Sequence, residues 1–372
     1  MEQQPYKIII SGGGTGGHIF PAISIAQALR DKDSSIQILF VGALGKMEME
    51  KVPAAGFAII GLPITGFQRS LSKQNLAFPF RLLRSLWKAK RIIRDFKPDA
   101  AVGVGGYASG ALLYMAARSG IPCLIQEQNS YPGITNKLLK NKASTICVAY
   151  QNMERFFPKE KLILTGNPVR PNLKSTQHLF GNAKLQWGIK KEQKVILVLG
   201  GSLGARSINQ AILNQLESIR NQEIFLVWQC GKLYLDELKP KVEAMELDNV
   251  VLLDFIQRMD YAYAAADVII SRAGAGTISE LCLVGKATIL VPSPNVAEDH
   301  QTQNALALSN LLAARMIPDA EASEKLLPEA LELLENEAER KAMGNEMKKL
   351  ALPDAANQIA NEVLKLIPRT LA

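Results

Sequence analysis

Cysteine, histidine and aromatic residues are scarce in this chain of 372 residues. It has four cysteines and three histidines, and Phe, Trp and Tyr together make up 6%. The cysteines, at positions 123, 147, 230 and 282, are far apart in apolar segments and have no metal-ligand spacing. This pattern argues against a disulfide framework or a structural metal site, and it predicts buried free thiols in a reducing compartment.

Long hydrophobic runs are also missing. The longest uncharged stretch, residues 100–117, contains four glycines, so it predicts a strand, a loop and a helix rather than a membrane span. The first five residues lack the basic start and the cleavage site of a signal peptide. We therefore expect a cytoplasmic chain without a transmembrane helix.

Acidic residues are outnumbered, with 35 Asp and Glu against 43 Lys and Arg. The net charge of +8 and the pI near 9.2 predict an anionic partner: a nucleotide, a nucleic acid or an acidic membrane surface. The length exceeds what one core usually supports, and 48% hydrophobic residues suffice for more than one. Two domains are therefore expected.

Short β-rich runs alternate with amphipathic helices, which predicts doubly wound parallel α/β sheets. Two prolines in residues 166–171 interrupt this pattern, and it begins again at residue 194. We expect an N-terminal domain over 1–166 and a C-terminal domain over 167–352, facing a central cleft, with a last helix in 353–372 crossing back onto the first. The predicted strands are 7–10, 36–41, 58–61, 100–104, 123–127, 145–149, 162–165, 194–199, 224–228, 250–255, 268–271 and 288–291.

A glycine-rich loop at residues 11–18 follows the first strand and leads into a helix. Exposed backbone N–H groups at a helix N-terminus suit a phosphate or another anion. The spacing also fits a dinucleotide fingerprint, but the second strand does not end in an acidic residue, and Glu48 comes too late to hold a ribose. His18, at the exit of the loop, makes this a candidate anion site with an attached base; the alternative is a tight turn capped by the histidine.

The same order of strand, glycine loop and helix returns in the second half. Residues 200–205 follow the strand at 194–199 and open a helix whose apolar face carries Ile208, Ile212 and Leu216. This second loop is therefore another candidate anion site.

Residues 67–97 combine nine Lys or Arg with one acid, Asp95, and with many large apolar side chains. Such a surface suits the headgroup region of an anionic membrane. The alternative is a core helix, with Leu83, Trp87 and Ile92 inside and a solvated outer face. A nucleic-acid surface is disfavoured because no binding motif accompanies it.

Six motifs in order carry a resemblance to a known family. They are Gly-Gly-Thr-Gly-Gly-His at 13–18, Gly-Gly-Tyr-Ala-Ser-Gly at 105–110, Glu-Gln-Asn at 127–129 with Gly-Ile-Thr-Asn-Lys at 133–137, Gly-Asn-Pro-Val-Arg at 166–170, Gly-Gly-Ser-Leu-Gly-Ala at 200–205, and Ser-Arg-Ala-Gly-Ala-Gly-Thr-Ile-Ser-Glu at 271–280. From about residue 6 to the last helix, the chain resembles the MurG family of N-acetylglucosaminyltransferases, which has the GT-B fold of two Rossmann-like domains.

The resemblance implies an inverting transfer of N-acetylglucosamine from UDP-N-acetylglucosamine to the C4 hydroxyl of undecaprenyl-diphosphate-linked N-acetylmuramyl-pentapeptide. This is a step of peptidoglycan synthesis, and so of cell-wall growth, cell shape and division. It implies a peripheral protein on the cytoplasmic face of the cell membrane, bound to an anionic lipid surface and working with other cell-wall synthesis proteins, without nucleic acid.

The resemblance also implies a donor site on the C-terminal domain. Glu280 would accept hydrogen bonds from both ribose hydroxyls, Ile256 would bound the uracil, and Gln301 would hold sugar hydroxyls. Arg170 and the helix beginning at Ala275 would face the diphosphate. The implied donor-binding residues are Thr15, Gly16, Gly17, Asn129, Arg170, Ser202, Ile256, Ala275, Gly276, Thr277, Ile278, Ser279, Glu280 and Gln301.

The first glycine loop would serve the acceptor diphosphate and place His18 as the base. A single in-line displacement needs a base for the acceptor hydroxyl and charge stabilisation for the departing UDP, but no covalent carboxylate nucleophile. Secondary candidates, each with a structural role as the alternative, are Gly13, Gly14, Tyr107, Glu127, Asn136, Asn209 and Arg272.

Some features depart from the family pattern. Gln126 stands where many members have histidine, and Leu203 stands where glutamine is frequent. No Asp-x-Asp motif stands at the end of a predicted strand, so helix dipoles and Arg170 would meet the diphosphate and no obligatory metal is expected.

Three rival functions remain. One is a GT-B transferase for another glycolipid or a small aglycone, against which the motifs at 105–110 and 129–137 argue. A second is an NAD-dependent oxidoreductase, disfavoured by the missing acid after the second strand. The third is a non-catalytic nucleotide-binding or membrane-docking protein.

Overall fold

The computed structural model describes residues 5–64, 78–169, 173, 179–201, 203–220 and 222–367. The chain divides into two units, one made of Met1–Val169 with Pro353–Ala372 and the other of Arg170–Leu352. Each unit is a parallel sheet with helical connections, which confirms the predicted doubly wound α/β class.

The first unit contains a seven-stranded sheet. Its strands are β1 (Lys7–Ser11), β2 (Gln37–Ala43), β3 (Ala58–Leu62), β4 (Ala100–Gly103), β5 (Cys123–Glu127), β6 (Thr145–Val148) and β7 (Leu162–Leu164), in the order β3-β2-β1-β4-β5-β6-β7 with every pair parallel. The helices between them are α1 (Gly16–Lys32), α2 (Glu48–Ala54), α3 (Phe78–Phe96), α4 (Tyr107–Arg118) and α5 (Ile134–Leu139).

The second unit repeats this winding over six strands. They are β8 (Lys194–Leu199), β9 (Ile224–Gln229), β10 (Val250–Leu253), β11 (Val268–Ser271), β12 (Ala287–Leu290) and β13 (Arg315–Met316), in the order β10-β9-β8-β11-β12-β13. Its helices are α6 (Phe180–Gln186), α7 (Arg206–Gln215), α8 (Leu235–Glu243), α9 (Met259–Ala265), α10 (Ala275–Val284), α11 (His300–Ser309), α12 (Ala322–Glu335) and α13 (Glu337–Lys349). The sequence pattern missed β13, because two residues are too short for an alternation to show.

The first sheet is covered on both faces. Ile9 of β1 packs into one hydrophobic core, and Ile8 and Ile10 pack into another on the opposite face. The last helix, α14 (Ala355–Leu366), contributes Ile359 and Val363 to the second of these cores, so the C-terminal segment belongs to the first unit. Burial on both faces explains why the strands are continuous apolar runs without polar alternation.

In each sheet the winding reverses direction beside its first strand, between β1 and β4 and between β8 and β11. Loops that leave such a pair of strands run to opposite faces, which leaves a crevice at the carboxyl ends of the strands where ligands bind. Both glycine-rich loops follow these strands, one after β1 and the other after β8. The topology therefore places each predicted anion loop at the switch point of its own sheet.

The four thiols are free and buried, as predicted. Burial raises the pKa of Cys123, Cys147 and Cys282 to about 12 and that of Cys230 to about 11. None of the helices in the described residues combines the length and hydropathy that a bilayer-spanning segment requires.

Candidate active site

His18 lies in the first turn of α1, half-buried, with its ring turned back onto the glycine loop. Its Nδ1 is 3.0 Å from the carbonyl oxygen of Gly13 and 3.3 Å from the hydroxyl of Thr15. A carbonyl oxygen only accepts hydrogen bonds, so Nδ1 is the donor in this contact, and in the neutral ring the lone pair is then on Nε2. The loop thus fixes the tautomer in which Nε2 can take up a proton.

Two glycines that follow β4 pack closely against this loop. Gly105 and Gly106 have φ angles of +107° and +90°, which residues with a side chain rarely adopt. A Cβ at Gly105 would lie 2.8 Å from His18 Nε2, and a Cβ at Gly106 would lie 2.6 Å from the Gly13 carbonyl oxygen. Glycine is therefore required here for close approach. Tyr107, a secondary candidate, follows at the start of α4 and is 47% exposed.

Glu48, which begins α2, reaches under the same loop. It is fully buried, and its two carboxylate oxygens accept from the backbone N–H of Gly14 at 3.0 Å and of Ala43 at 2.9 Å. Its position in the sequence is too late for a ribose-binding acid, and its burial agrees with that exclusion. It instead anchors the glycine loop to the end of β2, and the N–H of Gly14 is engaged by this carboxylate.

Nothing in the local sequence marks Glu48 for this position. The feature that indicates it indirectly is a pair of glycines that lie close to it in space. A Cβ at Gly13 or at Gly42 would overlap the Glu48 side chain. Both glycines therefore make room for a buried carboxylate.

A second buried carboxylate, Glu127 at the end of β5, organises the loop that carries Asn129. It accepts from the backbone N–H groups of Asn129 and Gly133 at 3.0 and 3.1 Å, and from Asn136 Nδ2 at 2.8 Å. Burial raises the pKa of Glu127, and these donors offset part of that rise. Glu127 and Asn136 are thus brought together, and their hydrogen bonds stabilise the loop that carries Asn129.

Gln126, where the family resemblance leads one to expect histidine, is fully buried. Its Nε2 donates to Asn167 Oδ1 at 2.9 Å, and Asn167 Nδ2 donates to the carbonyl of Gln128 at 3.0 Å. The side chain at position 126 therefore belongs to an amide network inside the first unit.

In the second unit, Glu280 lies on α10, whose first turn contains Ala275, Gly276 and Thr277. The hydroxyl of Tyr263, a fully buried residue of α9, donates to Glu280 Oε2 at 3.0 Å. Tyr263 was not found from the sequence, because its contact joins residues 17 positions apart on different helices. The predicted ribose carboxylate is thus held in place by a buried phenol.

Four other predicted donor residues are buried or hydrogen-bonded within the second unit. Ile256 and Ile278 are each 2% exposed, and the N–H of Ile278 donates to the carbonyl of Gly274. Ser279 Oγ donates to the carbonyl of Ala275 at 3.0 Å, and Gln301 Oε1 accepts from the backbone N–H of Ser293 at 2.9 Å. The side chains of Ile256 and Ile278 therefore face the protein interior, and Gln301 holds the loop after β12.

Arg272 and Asn209 both brace α7, the helix that follows the second glycine loop. Arg272 pairs with Asp319 and donates from Nη2 to Ser207 Oγ at 2.8 Å. Asn209 is 2% exposed and donates to the carbonyl of Cys230 at 2.9 Å. Both side chains therefore support the position of α7.

Two predicted donor residues, Arg170 and Ser202, lie outside the described residues. The second glycine loop has two glycines in the left-handed region, since Gly201 and Gly204 have φ angles of +79° and +85°. A Cβ at Gly204 would overlap the carbonyl oxygen of Cys230.

Across the described residues, no group of three or more His, Cys, Asp or Glu is arranged to hold a metal ion.

Comparisons with known proteins identify the family of the chain. The model of the glycosyltransferase family 28 N-terminal domain matches residues 8–148, and that of the C-terminal domain matches residues 195–359. A relative from Bacteroides fragilis, named UDP-N-acetylglucosamine–N-acetylmuramyl-(pentapeptide) pyrophosphoryl-undecaprenol N-acetylglucosamine transferase, is 56% identical over 97% of this chain and 95% of its own length. A relative of the same name from Flavobacterium psychrophilum is 51% identical over 99% of both chains.

Solved structures give the same result. The crystal structure of Acinetobacter baumannii MurG matches 97% of this chain and 100% of its own, with a TM-score of 0.79 at 28% identity. A UDP-N-acetylglucosamine 2-epimerase from Neisseria meningitidis shares the fold, with a TM-score of 0.66 at 15% identity over 96% of this chain and 100% of its own. The resemblance inferred from the motifs and the predicted GT-B fold are thereby confirmed, and the chain belongs to glycosyltransferase family 28.

Proposed function

We propose that this chain transfers N-acetylglucosamine from UDP-N-acetylglucosamine to the C4 hydroxyl of undecaprenyl-diphosphate-linked N-acetylmuramyl-pentapeptide. The observation that carries the proposal at the level of chemistry is the contact between His18 Nδ1 and the Gly13 carbonyl, which leaves Nε2 as a base. The relatives' names supply the substrates. The ribose role proposed for Glu280 is supported by its chemistry, because a carboxylate can accept from both ribose hydroxyls.

In the proposed reaction, His18 Nε2 takes the proton of the C4 hydroxyl while that oxygen attacks the anomeric carbon of the donor. The bond from the anomeric carbon to the UDP oxygen breaks on the opposite side, and its electron pair leaves with UDP. The anomeric configuration inverts in this single displacement. The positive end of α10, together with Arg170 and the backbone around Ser202, meets the negative charge on the leaving diphosphate.

The test of this function uses purified protein, labelled UDP-N-acetylglucosamine and a short-chain analogue of the lipid-linked muramyl-pentapeptide. We expect acceptor-dependent formation of a β-1,4-linked disaccharide product, and the same turnover in excess EDTA because helix dipoles and cationic side chains meet the diphosphate. Donor binding without product would indicate a non-catalytic protein. Product formed only on an unrelated glycolipid or aglycone would indicate a different transferase.

The donor assignment is tested through the pair of Tyr263 and Glu280. We expect Glu280→Gln to weaken UDP binding about 10-fold or more, the size of a lost charged hydrogen bond. Tyr263→Phe removes only the hydroxyl that orients the carboxylate, so we expect KM for the donor to rise about 3- to 10-fold while kcat is unchanged. Calorimetric titration with UDP and steady-state kinetics give these values.

The control for this prediction is 2′,3′-dideoxy-UDP, which lacks both ribose hydroxyls. Neither substitution should alter its affinity by more than about 2-fold, because Glu280 then has no hydroxyl to bind. An equal loss for UDP and for the dideoxy nucleotide would mean that the pair supports the fold of the second unit and does not contact the ribose.

We further propose that α3 docks on an anionic membrane surface. Leu83 and Trp87, which the alternative interpretation placed in a core, are 64% and 67% exposed, and Phe80 on the same helix is 72% exposed. Ser85, Ala89, Ile92 and Ile93 form its buried side. An exposed apolar surface among cationic residues such as Arg84 fits the lipid headgroup region, where the acceptor's diphosphate would lie.

The membrane proposal predicts that the double variant Leu83→Ser, Trp87→Ser binds vesicles of phosphatidylglycerol and phosphatidylethanolamine roughly 10-fold or more weakly, because two apolar side chains no longer leave water. Vesicle co-sedimentation measures this. Leu185→Ser is the matched control, since Leu185 is 76% exposed on α6 of the second unit. Equal vesicle binding by wild type and the double variant would leave α3 as a solvated helix face.

A further inference from the structure

One peptide group connects a buried carboxylate to the imidazole of His18. The N–H of Gly14 donates to Glu48 Oε2 at 3.0 Å, and the carbonyl oxygen of Gly13 lies 3.0 Å from His18 Nδ1. This N–H and this carbonyl belong to the same planar unit, the peptide bond between Gly13 and Gly14. Glu48, the peptide group and His18 therefore form a continuous hydrogen-bonded row.

The position of His18 makes such a row useful. It is the third residue of α1, and the N-terminal turn of a helix has a positive partial charge that opposes formation of an imidazolium ion. A base that must take up a proton during turnover is weakened in that position. A negative charge linked to Nδ1 compensates for this.

Glu48 can supply that charge through the backbone. A carboxylate bonded to the N–H end of a peptide group polarises it and makes its carbonyl oxygen a stronger acceptor. That oxygen then holds the Nδ1 proton more tightly and favours the protonated ring. In the described residues, Glu48 has two backbone N–H donors and no Lys or Arg partner, so its charge is not neutralised by a side chain.

Two other groups described beside the ring are uncharged. Within the described residues, Thr15 contacts Nδ1 through a neutral hydroxyl, and Gly105 lies beside Nε2 without a side chain. Tyr107 is the titratable side chain in the first turn of α4, the helix that Gly105 and Gly106 lead into. Glu48 is connected to the ring through the Gly13–Gly14 peptide group.

We propose that Glu48 is a positioning residue that acts through the Gly13–Gly14 peptide group to orient the His18 ring and to favour its protonation. The consequence for turnover rests on the proposed role of His18 as base, whereas the electrostatic link itself does not. The two can therefore be tested separately.

The first test is an NMR titration of the ligand-free protein. The chain has three histidines, so the His18 ring signal can be assigned with a His18→Gln variant. In Glu48→Gln we expect the titration midpoint of His18 to fall by about half a unit, the scale of a helix-terminus charge effect. Glu50→Gln is the control, since Glu50 is on the same helix with its side chain 81% exposed. In this variant the titration midpoint of His18 should equal that of wild type.

The second test is the pH profile of kcat/KM. We expect Glu48→Gln to lower kcat/KM about 10-fold and to move the acidic limb of the profile in the same direction as the ring titration. If the ring midpoint moves and the profile does not, the electrostatic link holds and His18 is not the base. If the ring midpoint is unchanged in a folded Glu48→Gln protein, the proposal is overturned.

A measurement on the unaltered protein covers the case in which Glu48→Gln does not fold. Because Gly13 and Gly14 share the peptide group, the amide nitrogen shift of Gly14 should titrate with the same midpoint as the His18 ring in wild type. A Gly14 signal that does not change across the His18 titration would overturn the proposal.

Discussion

Substitution of His18 by alanine is expected to reduce kcat by about two to four orders of magnitude, the usual contribution of a positioned general base. The affinity for UDP should stay within about 2-fold of wild type, because the ribose, uracil and diphosphate contacts in the proposed site come from other residues. Single-turnover kinetics with the lipid-linked acceptor and calorimetric titration with UDP measure the two effects separately.

A matched variant separates the chemical role of His18 from its contact with the loop. The amide of His18→Asn can still donate to the Gly13 carbonyl as Nδ1 does, but it cannot act as a base. We expect it to be as slow as His18→Ala, and added imidazole to restore part of the activity of the alanine variant. If His18→Asn kept wild-type turnover, the ring would serve only to cap the loop.

Substitution of Gly106 by alanine should be nearly as damaging, for a steric reason. The new Cβ would lie 2.6 Å from the Gly13 carbonyl oxygen, and this neighbour is backbone, so the loop itself must move. Because that carbonyl orients His18, we expect kcat to fall on the order of 100-fold, as happens when reacting groups are displaced by about 1 Å. Turnover and thermal unfolding of the purified variant measure the result.

Gly120 provides the control, because it follows the other end of the same helix, α4. It also has a positive φ, +76°, but a Cβ there would meet nothing within 4 Å. Gly120→Ala should therefore show only the conformational cost, about 1 kcal/mol of unfolding free energy, with unchanged kcat. If both variants lost stability and activity equally, the close approach of Gly106 to the loop would not matter.

The elements of this fold were predictable because their signals are local. All twelve predicted strands are present, since strands buried on both faces are short apolar runs between glycine and polar turns, as at Val268–Ser271. The glycine loops were recognisable for the same reason. Their position after β1 and β8 then followed from the order of strand, loop and helix.

The interior contacts of the site were not predictable, because they join residues that are distant in the sequence. Glu48 reaches Gly14 across 34 positions, and Gln126 reaches Asn167 across 41. Polar residues of this kind look like ordinary surface residues until the sheet brings their partners together. For α3 the difficulty was different, since periodicity identifies an amphipathic helix without saying which apolar residues face the core.

The contribution of α14 to the first unit determines when that unit can be completed during synthesis. Ile359, Ala360 and Val363 fill the same core as Ile8 and Ile10 of the first strand. A ribosome therefore translates the whole second unit before the residues that close this core exist. Part of the hydrophobic surface of the first unit stays exposed until then, while the second unit can already fold. This reverses the usual order, in which the N-terminal domain folds first.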